Sequence, residues 1–328
     1  MSRPLVSVVM ALYNGEKYLE AQVASILSQT HAELELLIFD DGSKDSSIEI
    51  ARSLEKKDAR VRLYQNGRNR GLVRNFLEGL RQTKGDYIAF SDQDDRWSSD
   101  KLEILVRLSE GTGAALVYSD MAVCDGDLEP LKPSFWEVAR IRPRRGSLGQ
   151  EAILRNLAPG CSALFRRSVC DAALRLMDEP AFWSLNQASV LDETPFIHDH
   201  FIFVLACTLG RIDYTPEKLM KYRQHPANNV GAFYEARSGR GRFIELLKKK
   251  IRLMKSGETS AAAAMMGSWE EFKDVLEGGK PLFSRLRHLR QFLFMRNDTW
   301  RDQFLGLAEC VWPSWYERAR NAREAKHG

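Results

Sequence analysis

The chain has 328 residues, of which 44 % are hydrophobic and 28 % charged, with 48 Lys and Arg against 44 Asp and Glu. This is the balance of a globular protein with one large domain and an appendage, or with two domains. The net charge of +4 gives no case for nucleic-acid binding. No apolar run reaches the ~18 residues that a membrane-crossing helix needs.

Strand and helix patterns alternate from the start. Met1-Ser2-Arg3-Pro4 leads directly into a strand over Val6–Ala11, with no signal-peptide pattern. Tyr18–Gln29 has helical periodicity, with Leu19, Val23, Ile26 and Leu27 on one face. Leu34–Phe39 reads as a strand, Ser46–Leu54 as a helix, Val61–Tyr64 as a strand and Asn75–Gln82 as a helix; Tyr87–Phe90 is the fourth strand. This order predicts a mostly parallel sheet with helices on both faces. A helix over Lys101–Leu108 and strands over Ala115–Ser119 and Ser162–Phe165 follow. The Arg- and Pro-rich segment Lys132–Gly149 is expected to be a long loop near the mouth of the site. Phe201–Thr208 reads as a buried helix. Beyond Asn229 the character changes, and helices are predicted over Phe243–Leu253, Trp269–Leu276, Leu282–Phe294 and Trp300–Leu307. The predicted organisation is therefore an α/β domain over residues 1–230 and a helical, basic region over 231–328.

Chemistry concentrates after the strands. Ser91-Asp92-Gln93-Asp94-Asp95 places three carboxylates in a short run at the end of the fourth strand. Such charges repel one another unless a divalent cation or a set of donors neutralises them. Ala11-Leu12-Tyr13-Asn14 follows the first strand, Asp40-Asp41-Gly42-Ser43 the second, and Asn69-Arg70-Gly71, with Arg74, the third. Each is an ordinary turn by itself. If the strands are parallel neighbours, all four loops meet at one carboxyl edge, where open α/β sheets bind ligands. There Asp41 could accept a base imide N–H, Asp92 could accept ribose hydroxyls, and Asp94 could bind Mn²⁺ or Mg²⁺ against a pyrophosphate. Ile197-His198-Asp199-His200 precedes the apolar helix, so Asp199 could project from a helix N-terminus into the same crevice. Five cysteines without CxxC spacing read as reduced packing residues, with a thiol nucleophile at Cys161 or Cys207 as the minor alternative.

The ordered set Val-Ser-Val-Val-Met-Ala-Leu-Tyr-Asn, Ile-Phe-Asp-Asp-Gly-Ser, Asn-Arg-Gly and Phe-Ser-Asp-Gln-Asp-Asp resembles the family 2 glycosyltransferases of the GT-A fold over residues 4–230. The variant Ser-Asp-Gln-Asp-Asp-Arg-Trp followed by Lys101, with Tyr222-Arg223-Gln224-His225 and Asn228-Asn229-Val230-Gly231, looks most like bacterial rhamnosyltransferases of surface-polysaccharide assembly. The resemblance implies inverting, metal-dependent transfer from a nucleoside diphosphate sugar, dTDP- or UDP-linked, to a glycan or polyprenyl-linked hydroxyl. It implies a nucleobase pocket at Ala11, Tyr13 and Asp41, donor contacts at Asn14, Asn69, Gly71, Arg74, Asp92, Gln93 and Gly160, and metal ligands Asp94 and His225. It implies Asp199 as the base. A histidine base at His198 or His200, or a capping role for Asp199, are the rival readings. His198 stands where many members have Glu. Trp97, Asp95, His198 and His200 are candidates for sugar or acceptor contacts, with a core position as the alternative for Trp97.

From Arg237 onward there are 19 Lys and Arg against 11 Asp and Glu, a net +8. Basic amphipathic helices of this kind suit an anionic membrane surface, or packing on the catalytic domain or on a second subunit. The expected location is cytoplasmic, at the inner face of the cytoplasmic membrane, with a homodimer allowed. Two rivals are a sugar nucleotidyltransferase and a non-catalytic scaffold of a polysaccharide assembly complex. The first would carry a Gly-rich, Arg-containing loop where this chain has Ala-Leu-Tyr-Asn-Gly.

Overall fold

The computed structural model describes residues 3–148, 152, 156–178 and 198–225. The chain separates into two compact units, Met1–Phe233 and Tyr234–Gly328, and all described residues belong to the first. The helices predicted after residue 240 lie outside the described residues.

Strands β1 (Val6–Leu12), β2 (Leu34–Asp40), β3 (Val61–Gln65) and β4 (Tyr87–Ser91) alternate with α1 (Leu19–Leu27), α2 (Ser47–Lys57) and α3 (Leu72–Gly79), as the sequence pattern predicts. They form a parallel array in the order β3-β2-β1-β4. Every residue of β1, β2 and β4 is buried, which is why these strands are near-continuous apolar runs rather than alternating ones. A two-residue strand β5 (Arg96–Trp97) and helix α4 (Lys101–Thr112) follow. Then come β6 (Leu116–Cys124), β7 (Pro130–Lys132), helix α5 (Phe135–Ala139), β8 (Ala163–Arg166), α6 (Arg167–Met177), α7 (His198–Leu209) and β9 (Ile212–Arg223).

The sheet continues from β4 through β8, β6 and β9 to β5. Strand β8 runs antiparallel to both β4 and β6, and β9 runs parallel to β6. The antiparallel insertion gives the loop before β8 and the far ends of β4, β6 and β9 a common edge. Helix α7 is apolar on nearly all sides, and Phe201 to Cys207 are all buried. Strand β9 had no prediction. Its run Thr215-Pro216-Glu217-Lys218 is polar, and the register shifts beside it between Ser119, Asp120 and Ala122 of β6 break its alternation.

The segment expected to be a plain loop over Lys132–Gly149 is partly ordered structure. Ser134 Oγ caps α5 by accepting from the Glu137 N–H at 3.2 Å and donates to Asp120 at 2.6 Å. Trp136 packs edge-on against Tyr118 and Tyr214. Burial of the Phe135-Trp136 pair holds this stretch against β6 and β9.

Candidate active site

The four loops predicted to converge do so. The Asp41 N–H donates to the Leu12 carbonyl at 2.8 Å, joining the ends of β1 and β2. Asp41 is 3 % exposed. Its carboxylate accepts from the Arg70 N–H at 2.8 Å, the Gly71 N–H at 2.9 Å and Asn66 Nδ2 at 2.9 Å. A carboxylate has about four acceptor positions, so three are used within the protein. Asn66 Nδ2 also donates to Asn75 Oδ1, and buried Asn75 donates to the Phe39 carbonyl at 2.7 Å. Gly71 has φ +88°, and its N–H is shared between Asp41 and Asn69 Oδ1. Asn69 is exposed, and Arg74 faces Glu78 at 3.9 Å.

On β1, Ala11 is buried; just beyond the strand, Tyr13 is 45 % exposed. Asn14 takes a left-handed conformation, φ 49°. It receives the Lys44 N–H on Oδ1 at 2.8 Å, and its own N–H goes to Ser43 Oγ at 3.0 Å. The amide of Gln93, expected to touch the donor, is taken up by the Tyr13 backbone. Its Oε1 accepts the Tyr13 N–H at 2.8 Å and its Nε2 donates to the Tyr13 carbonyl at 3.0 Å.

Asp94 and His225 meet. Oδ2 and Nε2 are 2.8 Å apart, with the two side chains 13 % and 14 % exposed. The ring of His225 lies 5.1 Å from that of Tyr18, and the Arg223 guanidinium lies 4.2 Å over the same ring. Arg223 Nε donates to the Asp94 carbonyl at 2.5 Å, and its backbone N–H donates to Asp95 Oδ1 at 3.1 Å. The end of β9 thereby fastens the acidic loop. Asp95, a candidate sugar contact, is 0 % exposed: it is an anchor for β9, with its carboxyl pushed up by burial and then by Asp94 and Asp92. Trp97 is 4 % exposed, and Lys101 Nζ lies 3.6 Å from its ring centroid. It therefore holds the core position rather than walling a sugar.

Asp92 keeps part of its surface open. Burial, then the charges of Asp94 and Asp199, push it up to about 7. Asp92 therefore lies near enough to both Asp94 and Asp199 to feel their charges. Buried Lys101 donates to the Cys161 carbonyl at 2.5 Å, and burial pulls its pKa down to about 7. Among the described residues, ligand atoms of Asp92, Asp95 and Cys161 lie within 4.8 Å of one another. This set suits a hard cation less well than the Asp94–His225 pair does. Cys161 is held as a thiol, burial and then Asp95 pushing it well up, and Asp95 is tied to β9. The same shift argues against the thiol-nucleophile alternative.

Asp199 sits in the first turn of α7. Its Oδ2 accepts the Gly160 N–H at 3.0 Å and its Oδ1 the His200 N–H at 2.6 Å. A Cβ on Gly160 would lie 3.0 Å from Asp199 Cβ and 3.2 Å from His198 Nε2. Gly160 is thus needed for the close approach of α7, a role different from the expected donor contact. His198 is stacked on Phe76 at 4.0 Å and edge-on to Phe90 at 5.2 Å. Burial pulls its pKa down to about 4, so at neutral pH it is an uncharged wall of the pocket. His200 Nε2 pairs with the Ala152 carbonyl at 2.8 Å, and burial lowers its pKa too.

A protein-family model described as "Glycosyl transferase family 2" matches residues 7–174, just over half of the chain. The chain belongs to glycosyl transferase family 2. Curated relatives of this family member include a putative teichuronic acid biosynthesis glycosyltransferase, TuaG, of Bacillus subtilis. It is 34 % identical over 129 residues, which are 39 % of this chain and 51 % of the relative. Another is the UDP-Glc:alpha-D-GlcNAc-diphosphoundecaprenol beta-1,3-glucosyltransferase WfgD of Escherichia coli, 32 % identical over 38 % of this chain and 48 % of the relative. The chain thus spans about half the length of these curated relatives. Among solved structures, S. aureus TarS 1–349 in complex with UDP-GlcNAc has a TM-score of 0.51 at 18 % identity, covering 68 % of this chain and 60 % of that one. The mannosyltransferase PcManGT of Pyrobaculum calidifontis, in complex with GDP-Man and Mn²⁺, has a TM-score of 0.50 at 16 % identity, covering 99 % and 81 %. At these identities they establish a shared GT-A-type fold: a mixed, mostly parallel sheet with flanking helices.

Sequence reasoning had no role for Tyr18, Lys101 or Arg223. Lys101 and Arg223 stand within the motifs it quoted. Nothing in their spacing signals that both side chains turn inward beneath the acidic loop.

Proposed function

We propose that the chain is an inverting glycosyltransferase that moves a sugar from a nucleoside diphosphate sugar, UDP- or dTDP-linked, to a glycan or lipid-linked hydroxyl. Rhamnose is the best specific sugar, on the strength of the Ser-Asp-Gln-Asp-Asp-Arg-Trp variant. The observation that carries the reading is the grouping of Asp92, Asp94, His225 and Asp199 at the carboxyl edge of the sheet. Family membership supports it, as do relatives whose names state glycosyl transfer to a diphosphoundecaprenol-linked sugar and structures with bound nucleotide sugars.

A carboxylate oxygen and an imidazole nitrogen, side by side and partly open to solvent, form a donor set that fits Mn²⁺ or Mg²⁺. When bound there, the cation would supply positive charge to the leaving diphosphate. Asp199, fixed by two peptide N–H groups, takes the proton from the acceptor hydroxyl as its oxygen attacks the anomeric carbon from the face opposite the diphosphate. The oxygen–carbon bond forms, the carbon–diphosphate bond breaks, and the configuration inverts. His198, packed against Phe76 and Phe90 and held uncharged by burial, puts no positive charge beside that carboxylate.

Asp199→Asn keeps the Gly160 and His200 contacts in outline but cannot accept the proton. It should reduce turnover about a thousandfold while UDP affinity, read by calorimetry, stays within about twofold of the parent. Unreduced turnover would remove the base assignment. Asp94→Ala should abolish the Mn²⁺ binding signal in electron paramagnetic resonance titrations without nucleotide; an unchanged Mn²⁺ affinity would remove the ligand assignment.

A further inference from the structure

Gln93 lies between Asp92 and Asp94, yet its amide bonds to neither a carboxylate nor an open pocket. It grips both backbone polar groups of one residue in the opposite loop, accepting the Tyr13 N–H at 2.8 Å and donating to the Tyr13 carbonyl at 3.0 Å. Two bonds from one planar amide fix both the position and the tilt of that stretch of backbone. Tyr13 projects a ring that is 45 % exposed at the edge of the sheet. The neighbourhood is shaped for the amide: a Cβ on Gly15 would lie 2.6 Å from both Gln93 Cδ and Oε1. Gly15 does not have a left-handed backbone, so what a side chain there would have to displace is the Gln93 amide and, at 3.0 Å, Leu12 Cδ1. On its other side, the Gly15 N–H is held by Ser47 Oγ at 2.8 Å.

We propose that Gln93 is a positioning residue that couples the seat of the nucleobase to the cation ligands, by hanging the Tyr13 backbone on the residue joining Asp92 to Asp94. This rests on the reading of the edge as a nucleotide-sugar site. Movement of the Tyr13 loop when a base stacks on its ring is passed through the amide to the backbone that carries Asp94, and the reverse holds equally. Each ligand therefore favours the other beyond their direct electrostatic contact. A simple carboxylate in place of Gln93 would lose the donor to the Tyr13 carbonyl.

The test is a set of calorimetric titrations of UDP and of dTDP, with and without Mn²⁺, on the full chain and on Gln93→Ala, Gly15→Ala and the double variant, with thermal melts as the folding control. Gln93→Ala should weaken UDP binding about tenfold in Mn²⁺ and shrink the factor by which Mn²⁺ tightens UDP. Gly15→Ala, which alters no polar group, should reproduce both effects by displacing the amide. In the Gln93→Ala background, Gly15→Ala should add less than about twofold, because the amide atoms it would strike are gone. The proposal is overturned if Gln93→Ala leaves the Mn²⁺ factor unchanged, or if Gly15→Ala is equally harmful in both backgrounds. Should the parent chain bind no UDP or dTDP in either condition, the nucleotide-site reading itself falls and the coupling falls with it. A coupling failure in a parent that binds normally leaves that reading standing.

Discussion

At the residue scale, His198 makes its environment measurable. Its imidazole is buried among Phe76, Phe90 and Gly160, with a folded pKa of about 4 against an ordinary 6.5. A depressed value means that the unfolded chain takes up the proton first. The stabilisation is therefore complete above pH 6.5 and is lost as the pH falls from there toward 4. Replacing His198 by Leu should flatten the fall in melting temperature across that window relative to the parent, a difference on the order of 3 kcal/mol between about pH 7 and pH 4. An unchanged slope would mean that the ring protonates freely in the folded state. The gathering of Asp94, His225 and Asp199 near the carboxyl edge of the sheet was legible in the sequence because each sits in a short motif next to a strand or helix end. The internal contacts made by Gln93, Asp95, Gly160 and Trp97 were not. These depend on which distant groups each residue meets, and for the first three those partners lie 39 to 128 residues away, where no local pattern reveals them.

At the element scale, two glycines in helices give opposite expectations. A Cβ on Gly79, at the end of α3, would meet Val9 Cγ1 at 2.8 Å and Phe39 Cε2 at 2.9 Å. This glycine lets α3 lie flat on β1 and β2. Gly79→Ala should cost about 1–3 kcal/mol through overpacking. Gly111, exposed near the end of α4, meets nothing within 4 Å, and Gly111→Ala should gain up to about 1 kcal/mol in helix propensity. Chemical denaturation of both variants checks the pair, and equal effects would refute the packing argument. The parallel half of the sheet was readable because the buried strands β1, β2 and β4 are near-continuous apolar runs. The antiparallel β8 was placed along the chain but not in direction, since direction is decided by neighbours. Strand β9, which pairs with β6 and β5, was missed because its polar middle hides a strand whose flanking positions, Ile212 and Leu219-Met220, are buried.

At the scale of the whole molecule, no helix among the described residues is long and apolar enough to cross a membrane. With its +8 excess beyond Arg237, the full chain should float with vesicles containing phosphatidylserine or cardiolipin and should dissociate at about 0.5 M salt. Equal recovery with purely zwitterionic vesicles would argue for another attachment. The 131-residue separation between Asp94 and His225 also bears on biosynthesis. On the ribosome, the N-terminal parallel strands emerge first and have local partners to pair with. The histidine that faces Asp94 arrives only after β9 has emerged and slid alongside β6. A nascent polypeptide released before that point would hold most of the loops at the sheet edge yet lack the imidazole opposite the acidic turn, so under the proposed function truncated products would be born unable to consume sugar donors.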